Sequence, residues 1–223
     1  MKKYMIIPLL LIAVSIMAQP KLYIGLRGGA GVLLGANQLK QFSTSDGTRD
    51  IVTHSNNWAL NPKIDVLLGL GRFHLGYRFM YTYSKNVSNT TGNYTPVDNG
   101  GAIDNPRLTT YFNGTRMNMF AHYGVLEFSI INSKVFALTP GIALGGYTGY
   151  IKDDAGNKVK FNQVSRMRIT AGTELNFEIK FNHGSFIFGP NYYLFARQDK
   201  ATADWKQFNH LIGADLGLRF SLF

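Results

Sequence analysis

Three residues of the chain have the chemistry of a hydrolytic site: Asp50, His54 and Ser55. A serine hydroxyl activated by a histidine base, with a carboxylate to orient the imidazole, performs nucleophilic acyl transfer. All three lie in a polar stretch, residues 37–57, that we predict to be a long loop. The alternative is that they are solvated loop residues, because a histidine and a serine fall close together by chance in such a stretch. These three are the only catalytic candidates.

The remaining reactive residue types argue against several classes of function. The chain has no cysteine, which excludes a disulfide scaffold, thiolate chemistry and lipid attachment. The other histidines, His74, His122, His183 and His210, are scattered singly without metal-ligand spacing. We therefore expect no metal and no cofactor. The net charge is +10, but no Lys/Arg run exceeds two residues, so nucleic-acid binding is not expected.

The first eighteen residues form a predicted signal peptide. Lys2 and Lys3 supply the charged start, residues 5–14 the apolar core, and the segment Ser15-Ile-Met-Ala18 the cleavage end. The apolar run is too short for a transmembrane helix. The mature protein is expected to begin at Gln19 and to form one domain, residues 19–223.

The end of the chain shows the pattern that organises the rest. From His210 to Phe223, apolar residues occupy every second position and Gly, Asp, Arg or Ser the positions between. A period of two predicts a β-strand with one apolar and one polar face. Because an unpaired edge strand invites aggregation, we expect this last strand to pair with the first and close the sheet into a barrel.

Eight such strands are predicted, joined alternately by long and short connections. They span residues 22–34, 60–70, 72–84, 116–130, 136–145, 166–181, 186–197 and 210–223, with longer loops at 37–57, 84–106, 152–163 and 198–206. In the fourth strand the apolar row changes phase after Val125, so we expect a β-bulge near Gly124 to restore the faces. The predicted fold is all-β, an eight-stranded antiparallel up-and-down transmembrane barrel.

The composition of the two rows indicates which one faces outward. A soluble lipocalin-like barrel would place the apolar rows inside. Here the polar rows contain few Lys or Glu, which suits a solvated surface poorly. A strand of about ten residues tilted by roughly 40° spans about 25 Å, the height of an outer-membrane apolar band. The apolar rows also carry aromatic residues near strand ends, as membrane interfaces do: Trp58, Tyr81, Tyr83, Tyr150 and Tyr192.

The eight strands and the ending Leu216-Gly-Leu-Arg-Phe-Ser-Leu-Phe223 resemble the small outer-membrane barrels of the OmpA/OmpX type. The resemblance covers residues 21–223. It implies a monomer in the outer membrane of a Gram-negative bacterium, in contact with outer-membrane lipid and lipopolysaccharide. It also implies recognition by the barrel assembly machinery, for which the terminal residues would be the signal: Leu218, Phe220, Leu222 and Phe223.

Charged residues on the polar rows must pair, because an isolated charge inside a narrow barrel is costly. An eight-stranded interior is just wide enough for side chains to fill it, here with the help of Tyr23 and Tyr193. Lys63, Asp65 and His122 also fall on these rows. The predicted polar network of the lumen comprises Arg27, Arg78, Arg116, Arg166, Arg168, Glu174, Glu178, Asp215 and Arg219.

Three functions fit this sequence. The first is a structural or surface-interaction role, in which long loops contact an unidentified extracellular ligand and the lumen is plugged and does not conduct. The second is a lipid A-modifying enzyme, as the family contains. The third is a narrow channel or a conduit for small hydrophobic solutes. The first is preferred, and lysines on the loop side either pair with lipopolysaccharide phosphates or are solvated: Lys85, Lys152, Lys158, Lys160, Lys200 and Lys206.

Overall fold

The computed structural model describes residues 20–44, 47–85, 90–96, 116–152, 158–160, 165–199 and 205–222. The predicted signal peptide, its cleavage site and Phe223 lie outside these residues. The described strands are β1 (Lys21–Thr44), β2 (Gly47–Leu60), β3 (Lys63–Leu70), β4 (Phe73–Lys85), β5 (Thr90–Pro96), β6 (Arg116–Phe128), β7 (Ile131–Asn132), β8 (Phe136–Lys152), β9 (Lys158–Lys160), β10 (Ser165–Phe181), β11 (Gly184–Asp199) and β12 (Trp205–Ser221).

The strands close into an antiparallel barrel, as the sequence predicts. Around the wall the order is β12, β11, β10, β8, β6, β4, β3 and β1, and β1 pairs again with β12. This closing pairing runs from Tyr23 opposite Ser221 to Gly35 opposite Asn209. Strands β2 and β3 share one position in the wall, which gives the eight predicted strands. The eight-stranded fold is confirmed.

The wall has an interruption where the sequence predicts one continuous second strand. Between β2 and β3, Asn61 and Pro62 leave the ladder, because proline has no amide hydrogen to donate. The backbone stays attached on both sides. The Asn61 amide donates to the Gly29 carbonyl at 2.8 Å, and the Tyr81 amide donates to the Pro62 carbonyl at 3.0 Å.

The prediction of a long loop at residues 37–57 is wrong. Strand β1 continues to Thr44, and β2 begins at Gly47. The two strands pair along their length, from Thr44 opposite Gly47 to Ala30 opposite Leu60 in the barrel wall. On its other edge β2 pairs with β5, from Gly47 opposite Pro96 to Thr53 opposite Thr90. Polar Ser, Thr and Asn residues thus form strands here, because the ladder is made by backbone hydrogen bonds, which polar residues form as well as apolar ones.

The predicted bulge near Gly124 is also wrong. Strand β6 pairs without a register shift from Phe73 opposite Phe128 to Lys85 opposite Arg116. The inward row of β6 simply changes chemistry along its length, from Glu127 at one end to Met117 at the other, and both side chains are buried. What looks like a phase change in the sequence is an apolar segment of the lumen.

The outer surface of the barrel is an apolar belt, so the soluble-barrel alternative is wrong. Large hydrophobic side chains are exposed on every side of the wall, among them Leu144 at 64%, Leu26 at 54% and Ile212 at 51%. Trp58, near the end of β2 that joins the wall, is 75% exposed. No helix in the described part of the chain is long and apolar enough to cross a membrane.

The adjacent residues Ala143 and Leu144 test this assignment of faces. Ala143 is 1% exposed and points inward, whereas Leu144 is 64% exposed and points outward. We expect Leu144→Phe to fold normally, because lipid accepts a larger apolar group. Leu144→Lys should lose about 2–4 kcal/mol if it lies near the bilayer midplane. Ala143→Phe overfills the lumen and should lose about 1–3 kcal/mol.

The measurement is the urea dependence of folding into lipid vesicles, read from the mobility of unboiled samples on gels. Equal damage from Phe at the two positions would contradict the assignment.

A buried ion-pair network in the lumen

The candidate site is a cluster of charged side chains across the middle and the short-turn half of the lumen. It contains four basic and five acidic residues, and each is at most 6% exposed. Strands β1, β3, β4, β6, β10 and β12 contribute them, because alternation directs every second residue of each strand inward. The members are Arg27, Lys63, Asp65, Arg78, Glu127, Glu174, Glu178, Asp215 and Arg219.

Asp65 joins two arginines from neighbouring strands. The Arg27 Nη2 donates to Asp65 Oδ2 at 2.5 Å, and the Arg78 Nε donates to Asp65 Oδ1 at 2.6 Å. Both carboxylate oxygens therefore have a charged donor. A charge-assisted bond of this kind is about twice as strong as a neutral one. The three residues tie β1, β3 and β4 together from inside.

Glu174 lies at the centre of the network and connects it across the barrel. It accepts a hydrogen bond from Arg27 Nη1 at 2.9 Å and another from Lys63 Nζ at 3.0 Å. Arg78 Nη1 lies 2.7 Å from Glu174 Oε1, the oxygen that also accepts from Lys63. The Tyr193 hydroxyl donates to the same carboxylate. Four strands thus meet at one side chain from β10.

Lys63 is held between two carboxylates and a ring. Besides its bond to Glu174, its Nζ donates to Asp215 Oδ2 at 2.5 Å. It also lies 4.5 Å from the centroid of the Tyr193 ring, within the range of a cation–π contact. The ammonium group is therefore surrounded by acceptors, which offsets the cost of burying it.

Arg219 and Glu127 form the end of the network nearest the short turns. Arg219 Nη2 donates to Glu127 Oε2 at 2.7 Å, and Arg219 Nη1 donates to Glu178 Oε1 at 3.1 Å. His74 Nδ1 lies 3.5 Å from Glu127. This end therefore links β12, β6, β10 and β4.

Small residues on the wall make room for the network. Gly172 stands opposite Tyr193, and a Cβ atom there would lie 2.4 Å from the tyrosine ring. Gly141 of β8 likewise faces Glu127, with 3.0 Å between its missing Cβ and the Glu127 Cγ. Strand β8 contributes no charge to the network, which gives the side chains from the opposite strands space to cross the lumen.

An apolar layer fills the lumen on the loop side of the network. Its members come from almost all strands and are no more than 7% exposed. Tyr123 marks the boundary, since its hydroxyl lies 3.0 Å from Thr170 Oγ1 and its ring lies 5.3 Å from that of Tyr193. The layer comprises Leu33, Ala59, Met80, Met117, Met119, Ala121, Tyr147, Phe195 and Leu211.

The structure does not bring all the predicted network residues together. Arg116 is exposed at the loop-side end of β6, opposite Lys85. The prediction of a bulge near Gly124 assigned the row of β6 that contains Arg116 to the lumen. Arg168 is half-buried with no hydrogen-bond partner for Nη1 among the described residues. The side chain of Arg166 lies outside the described residues.

Two further residues of β6 differ from the prediction. His122, predicted inward, is exposed on the outer surface. Glu127, which the sequence analysis left out of the network, is 1% exposed and pairs with Arg219. The signal was available in the sequence, because an uninterrupted alternation from Met117 places Glu127 on the same row.

The three catalytic candidates fall on one extended strand. Asp50, His54 and Ser55 lie in β2, opposite Gln41, Ala36 and Gly35 of β1. Their side chains lie outside the described residues. Along a strand, Asp50 and His54 are separated by four residues, or about 13 Å. A base and its orienting carboxylate need a hydrogen bond of about 3 Å, so the backbone of β2 does not assemble the site.

Polar pairs also occur on the outer surface. The Tyr77 hydroxyl lies 2.5 Å from His122 Nδ1, and the Tyr192 hydroxyl lies 2.7 Å from His210 Nδ1. Each pair satisfies polar atoms that would otherwise face the apolar surroundings alone. Among the described residues no group of three or more His, Cys, Asp or Glu side chains is arranged to hold a metal ion.

Comparison with known proteins finds the barrel but no close relative. No protein-family profile matches the sequence, and no curated protein sequence matches it. The solved structure of Neisserial surface protein A is similar, with a TM-score of 0.51 and 12% identity over 91% of this chain and 99% of that one. At this identity the likeness shows a shared fold.

Two further solved structures align more loosely. The outer membrane protein OprG from Pseudomonas aeruginosa has a TM-score of 0.44 and 8% identity, over 94% of this chain and 99% of that one. The outer membrane protease OmpT from Escherichia coli has a TM-score of 0.42 and 10% identity, over 93% of this chain and 100% of that one.

The pairing of Glu127 with Arg219 provides a stability test. Glu127→Ala leaves Arg219 with one carboxylate partner in place of two, and breaking a buried pair in this way typically costs about 3–5 kcal/mol. Glu127→Gln keeps the shape and one acceptor, so we expect a smaller loss. Leu126→Ala, the outward neighbour, serves as the control and should change stability least.

The free energy of unfolding in vesicles, measured by urea titration, checks this order. A Glu127→Ala protein as stable as Leu126→Ala would show that the network contributes little.

Proposed function

We propose that this chain, an eight-stranded barrel with the fold of outer-membrane proteins, is a non-conducting scaffold that presents a β-sheet at the cell surface. The buried ion-pair network carries the proposal, because it crosses the lumen from wall to wall. Export by the cleaved signal peptide and assembly through the last strand belong to the same proposal.

Two successive layers support a closed lumen. In the charged layer, Glu174 alone contacts side chains from β1, β3, β4 and β11, so paired side chains reach across the lumen at this level. Above it lies the apolar layer, which an ion could cross only by losing its hydration. Desolvating an ion in such surroundings is prohibitively costly without compensating ligands. Both layers oppose conduction, by different physical means.

The sheet that would face outward is an extension of the wall. Strand β12 accompanies β1 only to Gly35, whereas β1 and β2 continue together to Thr44 and Gly47. With β5 on its other edge, β2 becomes the centre of a three-stranded sheet beyond the rim. Binding surfaces are commonly carried on such extensions of a rigid scaffold. An unidentified extracellular ligand is therefore the partner we assign to this side.

The orientation follows from the two ends of the barrel. The short turns, at Gly71-Arg72 and Asn182-His183, lie at one end. Gly71 has φ 65°, a conformation that glycine adopts without strain, which permits so tight a turn. In outer-membrane barrels the short turns face the periplasm and the long connections face outward. The extended sheet is then extracellular.

Planar-bilayer recording tests the closed lumen. The purified protein should produce no channel steps under conditions in which a reconstituted porin conducts. Reproducible steps that are absent from a mock preparation, and that change in amplitude in an Arg78→Ala protein, would contradict the proposal, because Arg78 is buried in the lumen.

Cysteine labelling tests the orientation, since the chain contains no cysteine. A Ser45→Cys protein, with the new thiol between β1 and β2, should react with a membrane-impermeant maleimide on intact cells. The matched Arg72→Cys protein should react only after the outer membrane is permeabilised. The reverse pattern would invert the topology and place the extended sheet in the periplasm.

A further inference from the structure

The lumen is open below the ion-pair network, at the end that carries the short turns. A cavity of about 850 Å³ lies there. Its inner end is formed by Arg219 and His74, and its sides include Tyr23 of β1 and residues of the turns around Asn132 and His183. A cavity of this size is in the range that holds a small molecule. The cavity is distinct from the network, which forms only its floor.

The lining of this cavity is strongly basic. Lys21, Lys134 and Lys180 line it, and Lys21 and Lys134 are exposed. Among the described residues of the lining, Glu178 is the only acidic one. Its two carboxylate oxygens are already engaged, by Arg219 Nη1 at 3.1 Å and by the Ser185 hydroxyl at 3.0 Å. Glu178 also attracts Lys180 electrostatically, so a single carboxylate that is already paired with Arg219 faces three lysines.

The rest of the described chain does not supply the missing negative charge. Every other acidic residue whose side chain the structure describes is at most 6% exposed and belongs to the ion-pair network. Neither Lys21 nor Lys134 has an ion pair or a side-chain hydrogen bond within the described part of the chain. The short-turn end of the barrel therefore has an excess of positive charge, because the other described carboxylates are buried in the network: Asp65, Glu127, Glu174 and Asp215.

Lys180 is held in place at the cavity. Its Nζ donates to the Asn132 side chain and to the Ser133 carbonyl at 2.9 Å. Lys21 lines the same cavity. Two ammonium groups kept near each other cost free energy, and an anion between them would offset that cost.

Two buried polar atoms beside the inner end of the cavity have no hydrogen-bond partner among the described residues. His74 is 7% exposed, and its Nδ1 has no hydrogen-bond partner among the described residues, with Glu127 only at 3.5 Å. The Arg219 Nε likewise has no described partner. Buried donors normally have partners. The cavity therefore combines a basic wall with incompletely satisfied polar groups at its inner end.

We propose that this cavity binds a phosphate-bearing anion through Lys21, Lys134 and Lys180. Phosphate oxygens match several separated ammonium donors better than one carboxylate does, because each phosphate offers three acceptor oxygens. The ligand is either a soluble phosphate compound or the phosphate of a lipid headgroup that reaches over the rim. The assignment of the cavity to the periplasmic side rests on the proposed orientation of the barrel. The binding of the anion does not depend on that orientation.

Calorimetric titration with inorganic pyrophosphate tests the site. The full chain is purified in an uncharged detergent at low salt. We expect saturable binding at one site per chain, weakened at least about tenfold in the Lys21→Gln, Lys134→Gln double variant. The matched control is Lys85→Gln with Arg116→Gln, two exposed residues that face each other at the opposite end of the barrel. The control should bind within about twofold of the unaltered protein.

Folding is checked by gel mobility, and neither Lys21 nor Lys134 makes a described contact that the fold needs. Absence of saturable binding, or equal loss in both double variants, would overturn the proposal.

A second arm identifies the source of the phosphate. Binding to the protein in uncharged detergent, which supplies no lipid phosphate, is compared with binding after reconstitution into vesicles that contain phosphatidylglycerol. Abolition of pyrophosphate binding by phosphatidylglycerol assigns the site to a lipid headgroup, whereas unchanged binding assigns it to a soluble anion. A separate failure of the conductance or labelling experiments would leave this binding result standing, so the two proposals are distinguishable.

Discussion

The structure depends on the neutralisation of charge inside a wall whose outer surface is apolar. Burying a single ion costs several kcal/mol even after relaxation, so no member of the lumen network can be stable alone. Glu174 is therefore approached by Arg27, Lys63 and Arg78 from three different strands. The requirement for partners fixes which strands must face each other across the lumen, in addition to which strands must be neighbours in the wall.

This constraint divides the lumen into two layers with different physical behaviour. In the charged layer, position is set by directional bonds such as that from Arg219 Nη2 to Glu127 Oε2 at 2.7 Å. In the layer above, Met80, Met117 and Met119 fill the space without directional contacts, and methionine adapts readily to irregular gaps. The directional layer gives the barrel one register, and the adaptable layer fills the remaining volume.

Much of this architecture is predictable from alternation alone, since the period of two depends only on backbone geometry. Alternation in β10 directs Glu174 and Glu178 inward, and the structure finds both buried. It fails in β6, where an apolar lumen makes the inward row look like a lipid-facing row, so that Arg116 and His122 are predicted inward although both are exposed. It fails again at residues 37–57, because polar composition says nothing about backbone pairing. Pairs that form across the lumen, such as Arg219 with Glu127, cannot be predicted from alternation, because they depend on how the closed barrel brings distant strands together.

The seam between β1 and β12 has a consequence for how the chain folds. It joins Tyr23 to Ser221, so the contact that completes the wall links residues that lie very far apart in the sequence. Folding rates fall as the sequence separation of native contacts grows, because a large loop must be closed before the contact is gained. Until that moment β1 presents a free edge that can pair with other chains. The pairing of β12 with β1 thus controls when this edge stops being prone to aggregation.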